Sequence, residues 1–222
     1  MRSARGFTLI ELMVVVAIIG FTALGFALAL KDTGGSSLAS GQTLLSTMVS
    51  TARSQAALHQ TEARLLIYAQ TPVAGNRDNT RYLRMLQVVR LETLPNGTTA
   101  WVAVGNSVLL PAPICVVPPA PVPANHLSVG VAWNNNAATG PVSTLNLANM
   151  SYRGQSGATT LQHFGDTGAA RAVRFIEFGP DGTVTMPTTT PIKIALATAT
   201  LSTTTFPLFN SATTVRGLFI RK

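Results

Sequence analysis

The chain has 222 residues, of which only 11% are charged and 46% are hydrophobic. This composition excludes a disordered chain, which needs low hydrophobicity and high charge, and the apolar residues are concentrated at one end, which argues against a protein with many membrane spans. The formal net charge of +8 has two interpretations: an anionic partner such as nucleic acid or a membrane surface, or a simple solubility balance. The arginines form no run, which favours the second.

The first six residues form a short basic leader, and residues 7–30 are almost wholly apolar. As a helix, this apolar run would span roughly 36 Å, and about 20 residues suffice to cross a bilayer. Arg2 and Arg5 precede the run, so the positive-inside rule places the N-terminus in the cytoplasm. The sequence therefore predicts a single membrane-spanning helix, with the residues from 31 onward outside the cytoplasmic membrane.

Glu11 is the only acidic residue inside this apolar run. A carboxylate at the centre of a membrane helix costs about 2.5–3.5 kcal/mol, and less near the interface. Either Glu11 reaches the headgroups and has no role, or it pairs with a positive group at similar depth. If the leader were removed after Gly6, the new amine of Phe7 would be such a group.

The segment RGFTLIEL at residues 5–12, followed by apolar residues to Gly20, resembles the processing site and N-terminal helix of type IV pilins and type II secretion pseudopilins. The resemblance implies that a prepilin peptidase cuts between Gly6 and Phe7 and methylates the Phe7 amine. It also implies that Glu11 of an incoming subunit neutralises the Phe7 amine of a neighbouring pilin. The apolar helices would then form the core of a helical filament that is built on an inner-membrane assembly platform.

Residues 31–60 are predicted to continue the first helix after an interruption. Gly34 and Gly35 predict a break or a loosened turn, because each glycine costs about 1 kcal/mol in a helix interior. From Leu38 to about Gln60, apolar residues recur every three or four positions. This spacing predicts an amphipathic helix whose apolar face packs on the domain that follows.

From residue 61 the sequence changes to strands and turns. The predicted strands are 63–69, 81–92, 101–110, 172–178, 183–186, 192–198 and 215–221. Pro95-Asn96-Gly97 and residues 179–182 predict tight turns. Six prolines in residues 111–123 exclude a central strand there and indicate an edge segment or an extended loop. Residues 124–170 predict an elaborated loop region with one or two short strands.

These elements predict an α+β fold: a long N-terminal membrane-spanning helix whose second half packs on a β-rich domain, residues 61–222, in the periplasm. Residues 52–56, Trp101 with Leu110-Pro111, and residues 175–182 resemble the H-type minor pseudopilins and the related minor pilins. That resemblance implies two small, mainly antiparallel sheets. It also implies a minor pilin that initiates or tips the filament of a type II secretion system or a type IV pilus.

Little in the sequence points to chemistry at a catalytic or metal site. His59 and Glu62 are spaced to share the end of a helix face, but two ligands make only a weak metal site. Cys115 is the only cysteine, so no intrachain disulfide forms. It lies between prolines and apolar residues, which predicts a packed small side chain, with a reactive thiol as the alternative. The sequence predicts no enzyme, no catalytic residue, no metal and no cofactor.

A binding function remains open at the basic C-terminal end. DNA-binding minor pilins of this broad group bind through an arginine-containing end of the domain. Here Arg216, Arg221 and Lys222 are close in sequence, and Arg171 and Arg174 lie at a strand that is expected to pair nearby. Such residues can hold phosphates. The alternative, which we favour, is an edge strand protected from aggregation by its charges.

Overall fold

The computed structural model describes residues 10, 13–16, 18–19, 33–72, 77–150, 170–188, 191–202 and 205–221. Gly6, Phe7, Glu11, Lys222 and most of the predicted membrane helix lie outside these residues. Within the described part of the protein, no helix is both long and apolar enough to cross a membrane. The protein divides into two compact units, Met1–Ser36 and Ser37–Lys222.

One helix, α1, spans Thr33–His59. Gly34 and Gly35 both lie in the first turn of α1, and residues 20–32 lie outside the described ranges, so the predicted interruption of a longer helix stays a prediction. The first N–H groups of a helix have no intrahelical partner to lose, and the high cost of glycine applies to helix interiors. Two glycines are therefore tolerated at this position.

The end of α1 confirms the predicted stop near Gln60. Gln60 has a φ of 52°, which is the left-handed conformation that commonly closes a helix. The N–H of Thr61 then reaches back to the carbonyl oxygen of Ala56 at 3.2 Å. The side chain of Gln60 donates to the carbonyl of Ala57 at 2.7 Å. These bonds satisfy two of the carbonyl groups that a helix end leaves without partners.

The β-strands form two antiparallel sheets, as predicted. The strands are β1 (Ala63–Tyr68), β2 (Met85–Thr93), β3 (Thr99–Leu109), β4 (Ile114–Val116), β5 (Asn146–Met150), β6 (Arg171–Phe178), β7 (Val184–Met186), β8 (Ile192–Thr200), β9 (Leu208–Phe209) and β10 (Val215–Ile220). The first sheet has the order β3-β2-β1-β6-β5, with β7 paired to β6. The second has the order β10-β8-β4, with β9 paired to β8.

Local sequence explains several strand boundaries. The hairpin between β2 and β3 turns at Gly97, whose φ of 78° suits glycine. The proline-rich segment contributes only β4, at the edge of the second sheet, which agrees with the edge segment, one of the two predicted alternatives. However, β2 begins at Met85 rather than Arg81, because residues 77–81 form a 3-10 helix and Leu83 adopts a φ of 55°.

The core joins α1 to both sheets. Leu45 and Ala52 of α1, Ile67 of β1, Phe178 of β6 and Leu196 of β8 belong to one buried cluster. Alternate residues of β1 point to the opposite face of the first sheet, where a second, smaller buried cluster lies. The apolar face of the helix therefore packs on the β-rich domain, as its periodicity predicts.

Candidate functional site

The arginines that the sequence nominates for nucleic acid lie in two different sheets. Arg171 and Arg174 belong to β6 in the first sheet, whereas β10 of the second sheet carries Arg216. The expectation that these strands pair is wrong, because the partner of β10 is β8. Arg171 and Arg174 are also three residues apart on one strand, so their side chains leave it on opposite faces. Their role in binding nucleic acid stays a prediction.

Arg174 lies beside a buried polar pair inside the domain. The hydroxyl of Tyr82 and Nε2 of His126 are 3.0 Å apart, and the His126 ring is 4.6 Å from the ring of Phe206, centroid to centroid. Burial, and then the charge of Arg174, lower the pKa of His126 to about 4. Burial raises the pKa of Tyr82 to about 12, which Arg174 opposes. Arg174 is half-buried and takes part in this internal cluster.

The hydrogen-bond direction of β8 shows which backbone groups of β10 point outward. The N–H of Val117 donates to the carbonyl of Ala195 at 2.9 Å, so the backbone N–H and C=O groups of Ala195 point toward β4. In an antiparallel pair, successive residues point to alternate sides. The backbone N–H and C=O groups of Ile194 therefore point toward β10, where Leu218 is the register partner of Ile194. Gly217, the neighbour of Leu218, consequently presents its backbone groups to the open edge of the sheet.

Side chains of α1 bind this open edge of β10. Gln42 Nε2 donates to the carbonyl of Gly217 at 3.1 Å, and Arg53 Nη2 donates to the carbonyl of Arg221 at 3.3 Å. The side chains of Arg216 and Arg221 are exposed beside these bonds. Edge strands are commonly protected by charged side chains and by a covering helix. The geometry therefore fits protection of an edge strand.

The candidate metal ligands do not come together. His59 is the last residue of α1 and Glu62 follows the helix end, so the predicted shared helix face is wrong. Within the described ranges, the protein holds no group of three or more His, Cys, Asp or Glu side chains placed to bind a metal ion.

The cysteine occupies a packed position. Cys115 is buried in β4 and free of a disulfide, and it belongs to the main core cluster. Burial raises the pKa of its thiol to about 12, a shift that Arg84 opposes. Because the thiolate is the reactive form, the side chain behaves as a small apolar residue. The interpretation made from sequence is confirmed.

Comparison with known proteins identifies the N-terminal segment. Residues 1–27 match the model for the prokaryotic N-terminal methylation motif. No curated protein and no solved structure matches this sequence. The match includes the predicted leader and most of the apolar run, and stops before α1. The protein thus carries at its N-terminus the signature of type IV pilins and pseudopilins, a group that is structural rather than catalytic.

Proposed function

We propose that the protein is a minor pilin or pseudopilin that initiates or tips the helical filament of a type II secretion system or a type IV pilus. The methylation motif at residues 1–27 carries this proposal. The β-rich domain with a helix packed on its sheets agrees with a subunit that displays a folded domain outside a helical core. Residues 7–30 anchor the protein in the bacterial inner membrane, with the β-rich domain in the periplasm.

Processing and assembly follow from the motif. Prepilin peptidase cleaves between Gly6 and Phe7 and methylates the new amine, which keeps its positive charge. Glu11 of one subunit then pairs with the Phe7 amine of another. Because opposite charges attract far more strongly in an apolar medium than in water, the pair offsets the cost of about 2.5–3.5 kcal/mol for an intramembrane carboxylate. The charge pair thus sets the axial position of an added subunit.

Intact-mass analysis tests the processing step. Coexpressed with an active prepilin peptidase, the protein should lose its first six residues and begin at methylated Phe7. The loss of Arg2 and Arg5 lowers the formal charge from +8 to +6. Gly6→Leu should remain uncleaved, whereas the leader variant Ser3→Ala should be processed as the wild type is. A wild-type protein that retains Met1 would contradict the proposal.

Crosslinking tests the assembly step. Glu11→Ala should still insert and be cleaved, because it removes a charge that opposes insertion. It should crosslink much less to the other pilins of the system, since the Phe7 amine loses its partner. Glu62→Ala, which removes an acid outside the motif, serves as the matched control. Equal crosslinking of the Glu11 and Glu62 variants would exclude the charge-pair role.

A second candidate function is DNA capture by the same anchored domain, and the exposure of Arg216 and Arg221 favours it. If these side chains hold phosphates, the full-length protein in detergent should retard duplex DNA, and binding should weaken steeply with salt. Replacing both by Ala should weaken binding to all DNA sequences alike, because phosphate contacts carry no base information. Absence of retardation near physiological salt would favour the purely structural subunit, which we expect.

A further inference from the structure

The outer strand of the first sheet, β3, has an open backbone edge. The N–H of Leu91 in β2 donates to the carbonyl oxygen of Glu62 at 2.8 Å, so the backbone groups of Leu91 point toward β1. The register partner of Leu91 is Trp101, whose N–H and C=O groups therefore point away from β2. By the same alternation, Thr99 and Ala103 present their backbone groups to this edge. Within the described parts of the chain, no other segment forms hydrogen bonds with these groups.

This edge lacks the protection that the edges of the second sheet have. An unpaired edge recruits another strand unless charges, prolines or a covering element prevent it. Side chains of α1 bind the edge of β10, and β4 has only three residues, with prolines close on both sides. In contrast, β3 runs for 11 residues, Thr99–Leu109, without a charged residue or a proline. Its edge is therefore suited to pairing with a further strand.

A second copy of β3 fits this edge in register. Two copies can pair antiparallel with Trp101 opposite its own counterpart, which brings Thr99 of each copy opposite Ala103 of the other. Because all three residues direct their backbone groups to the edge, about six hydrogen bonds form between the copies. Like charges that lie opposite each other would oppose such self-pairing, and β3 has no charged residue. The two-fold arrangement is self-complementary.

The face of the sheet that carries α1 leaves room for the second copy. Nη1 of Arg90 donates to Oε1 of Gln55 at 2.8 Å, so α1 lies over β2 at this point. In the pair, the two β2 strands would be three strand spacings apart, about 14 Å, which exceeds the helix diameter of about 10–12 Å. A cleft of about 370 Å³ also lies beside β3 here, lined in part by His59, Val102 and Val104.

On the opposite face, an aromatic ring adds to the contact. Trp101 is half-buried, and the guanidinium of Arg64 lies 4.1 Å from its ring centroid. This contact holds the ring against the sheet in the single copy. Side chains of opposite residues lie on the same face and touch, and aromatic pairs favour offset or edge-to-face contacts. The two Trp101 rings therefore contribute apolar contact at the centre of the pair.

We propose that the open edge of β3 is a self-association site, at which β3 pairs antiparallel with β3 of a second copy and joins two first sheets into one. A bulge ends the paired segment: Gly105 has a φ of 69°, and the register between β2 and β3 shifts between Leu86 and Val88. Such bulges bend an edge away from a partner, so the pairing covers residues 99–104. The site does not depend on the role of Glu11 or on DNA binding.

Cysteine crosslinking of the full-length protein in detergent tests this register, because the one native cysteine, Cys115, is buried. Ala100→Cys would place the thiols of the two copies at diagonal positions about 7–8 Å apart, within reach of a short bismaleimide. Asn106→Cys is the control, since its two copies would lie ten residues apart along the strands, about 33 Å. Only the first variant should form a crosslinked dimer. Equal crosslinking of both variants, or of neither, would overturn the proposal.

A charge added to the edge tests the pairing itself. Ala100→Lys brings two like charges together across the pair, so it should raise the dissociation constant of the dimer at least about tenfold. Asn106→Lys adds the same charge beyond the bulge and should leave the dimer unchanged. Sedimentation equilibrium in density-matched detergent measures both variants and the wild type. A monomeric wild type, or equal dissociation constants for the two variants, would contradict the site. If Ala100→Lys fails to fold, the cysteine variants still decide.

Discussion

Replacing Arg64 should be among the most destabilising single changes in the first sheet. The Arg64 guanidinium lies 4.1 Å from the ring centroid of Trp101 and 4.5 Å from that of Phe175. Its Nη2 is also 2.6 Å from Oε2 of Glu177. Glu177 is buried and also accepts hydrogen bonds from Nε of Arg64 at 2.7 Å and from the hydroxyl of Thr185 at 2.8 Å. Arg64→Ala therefore removes an ion pair and two aromatic contacts together.

The magnitude follows from how little water reaches this group. The side chains of Arg64 and Glu177 are 18% and 8% exposed, so the pair is largely desolvated. Breaking a buried pair from one side costs about 3–5 kcal/mol, part of which is the loss of cation–π contacts worth about 0.5–2 kcal/mol each. For a domain of this size, we expect the melting temperature to fall by about 6–20 °C.

Glu177→Gln separates the aromatic contacts from the charge. This variant keeps Arg64 between its two rings and leaves it a neutral acceptor, so we expect a loss of only about 1–2 kcal/mol. Thermal unfolding of the full-length protein in detergent, followed by circular dichroism, measures both variants. Arg216→Ala is the control, since surface substitutions usually change stability by less than about 0.5 kcal/mol. Equal losses for Arg64→Ala and Glu177→Gln would refute the contribution assigned to the rings.

Three further measurements address the interior. The pKa of His126 falls from 6.5 to about 4 on folding, so between these pH values the unfolded protein binds a proton that the folded protein does not. The melting temperature should therefore drop as pH falls from about 6.5 to about 4. The variant His126→Gln should lose this dependence of melting temperature on pH. Cys115 should react with a maleimide only in denaturant, and fast labelling of the native protein would contradict its burial. Gly217→Ala places a Cβ against the carbonyl oxygen of Ile194 and should lower stability by about 1–3 kcal/mol, whereas Gly35→Ala, which meets open space, should leave the melting temperature unchanged or raised.

Local patterns were sufficient for most strands and turns. The predicted strands at residues 63–69 and 172–178 correspond to β1 and β6, and the turn at Gly97 follows from a residue type that tolerates positive φ. A central strand was correctly excluded for the proline-rich segment because proline cannot donate to a central ladder, and β4 lies at a sheet edge. The start of β2 was missed because Leu83 adopts a left-handed conformation that no local signal for an apolar residue indicates.

Contacts between distant residues explain the remaining differences. Tyr82 and His126 are 44 residues apart, and nothing in either segment predicts that they meet. Lys193 is the only charged residue of β8, and this lone charge was the available signal for a buried cation. The choice of β8 over β6 as the partner of β10 depends on the whole topology. The predicted arginine patch grouped Arg171 and Arg174 with Arg216, but the first two residues belong to the first sheet and Arg216 to the second.

The bonds from α1 to β10 also have a consequence for the order of events during biosynthesis. Gln42 binds a residue that lies 175 positions later, and Arg53 binds one 168 positions later. A ribosome therefore releases the helix long before its partners exist, and the apolar side chains of α1 must wait for them. Native structures rich in such distant contacts form slowly, and exposed apolar surface favours aggregation meanwhile. We therefore expect the domain to fold after translation and to benefit from a chaperone that shields the helix during the delay.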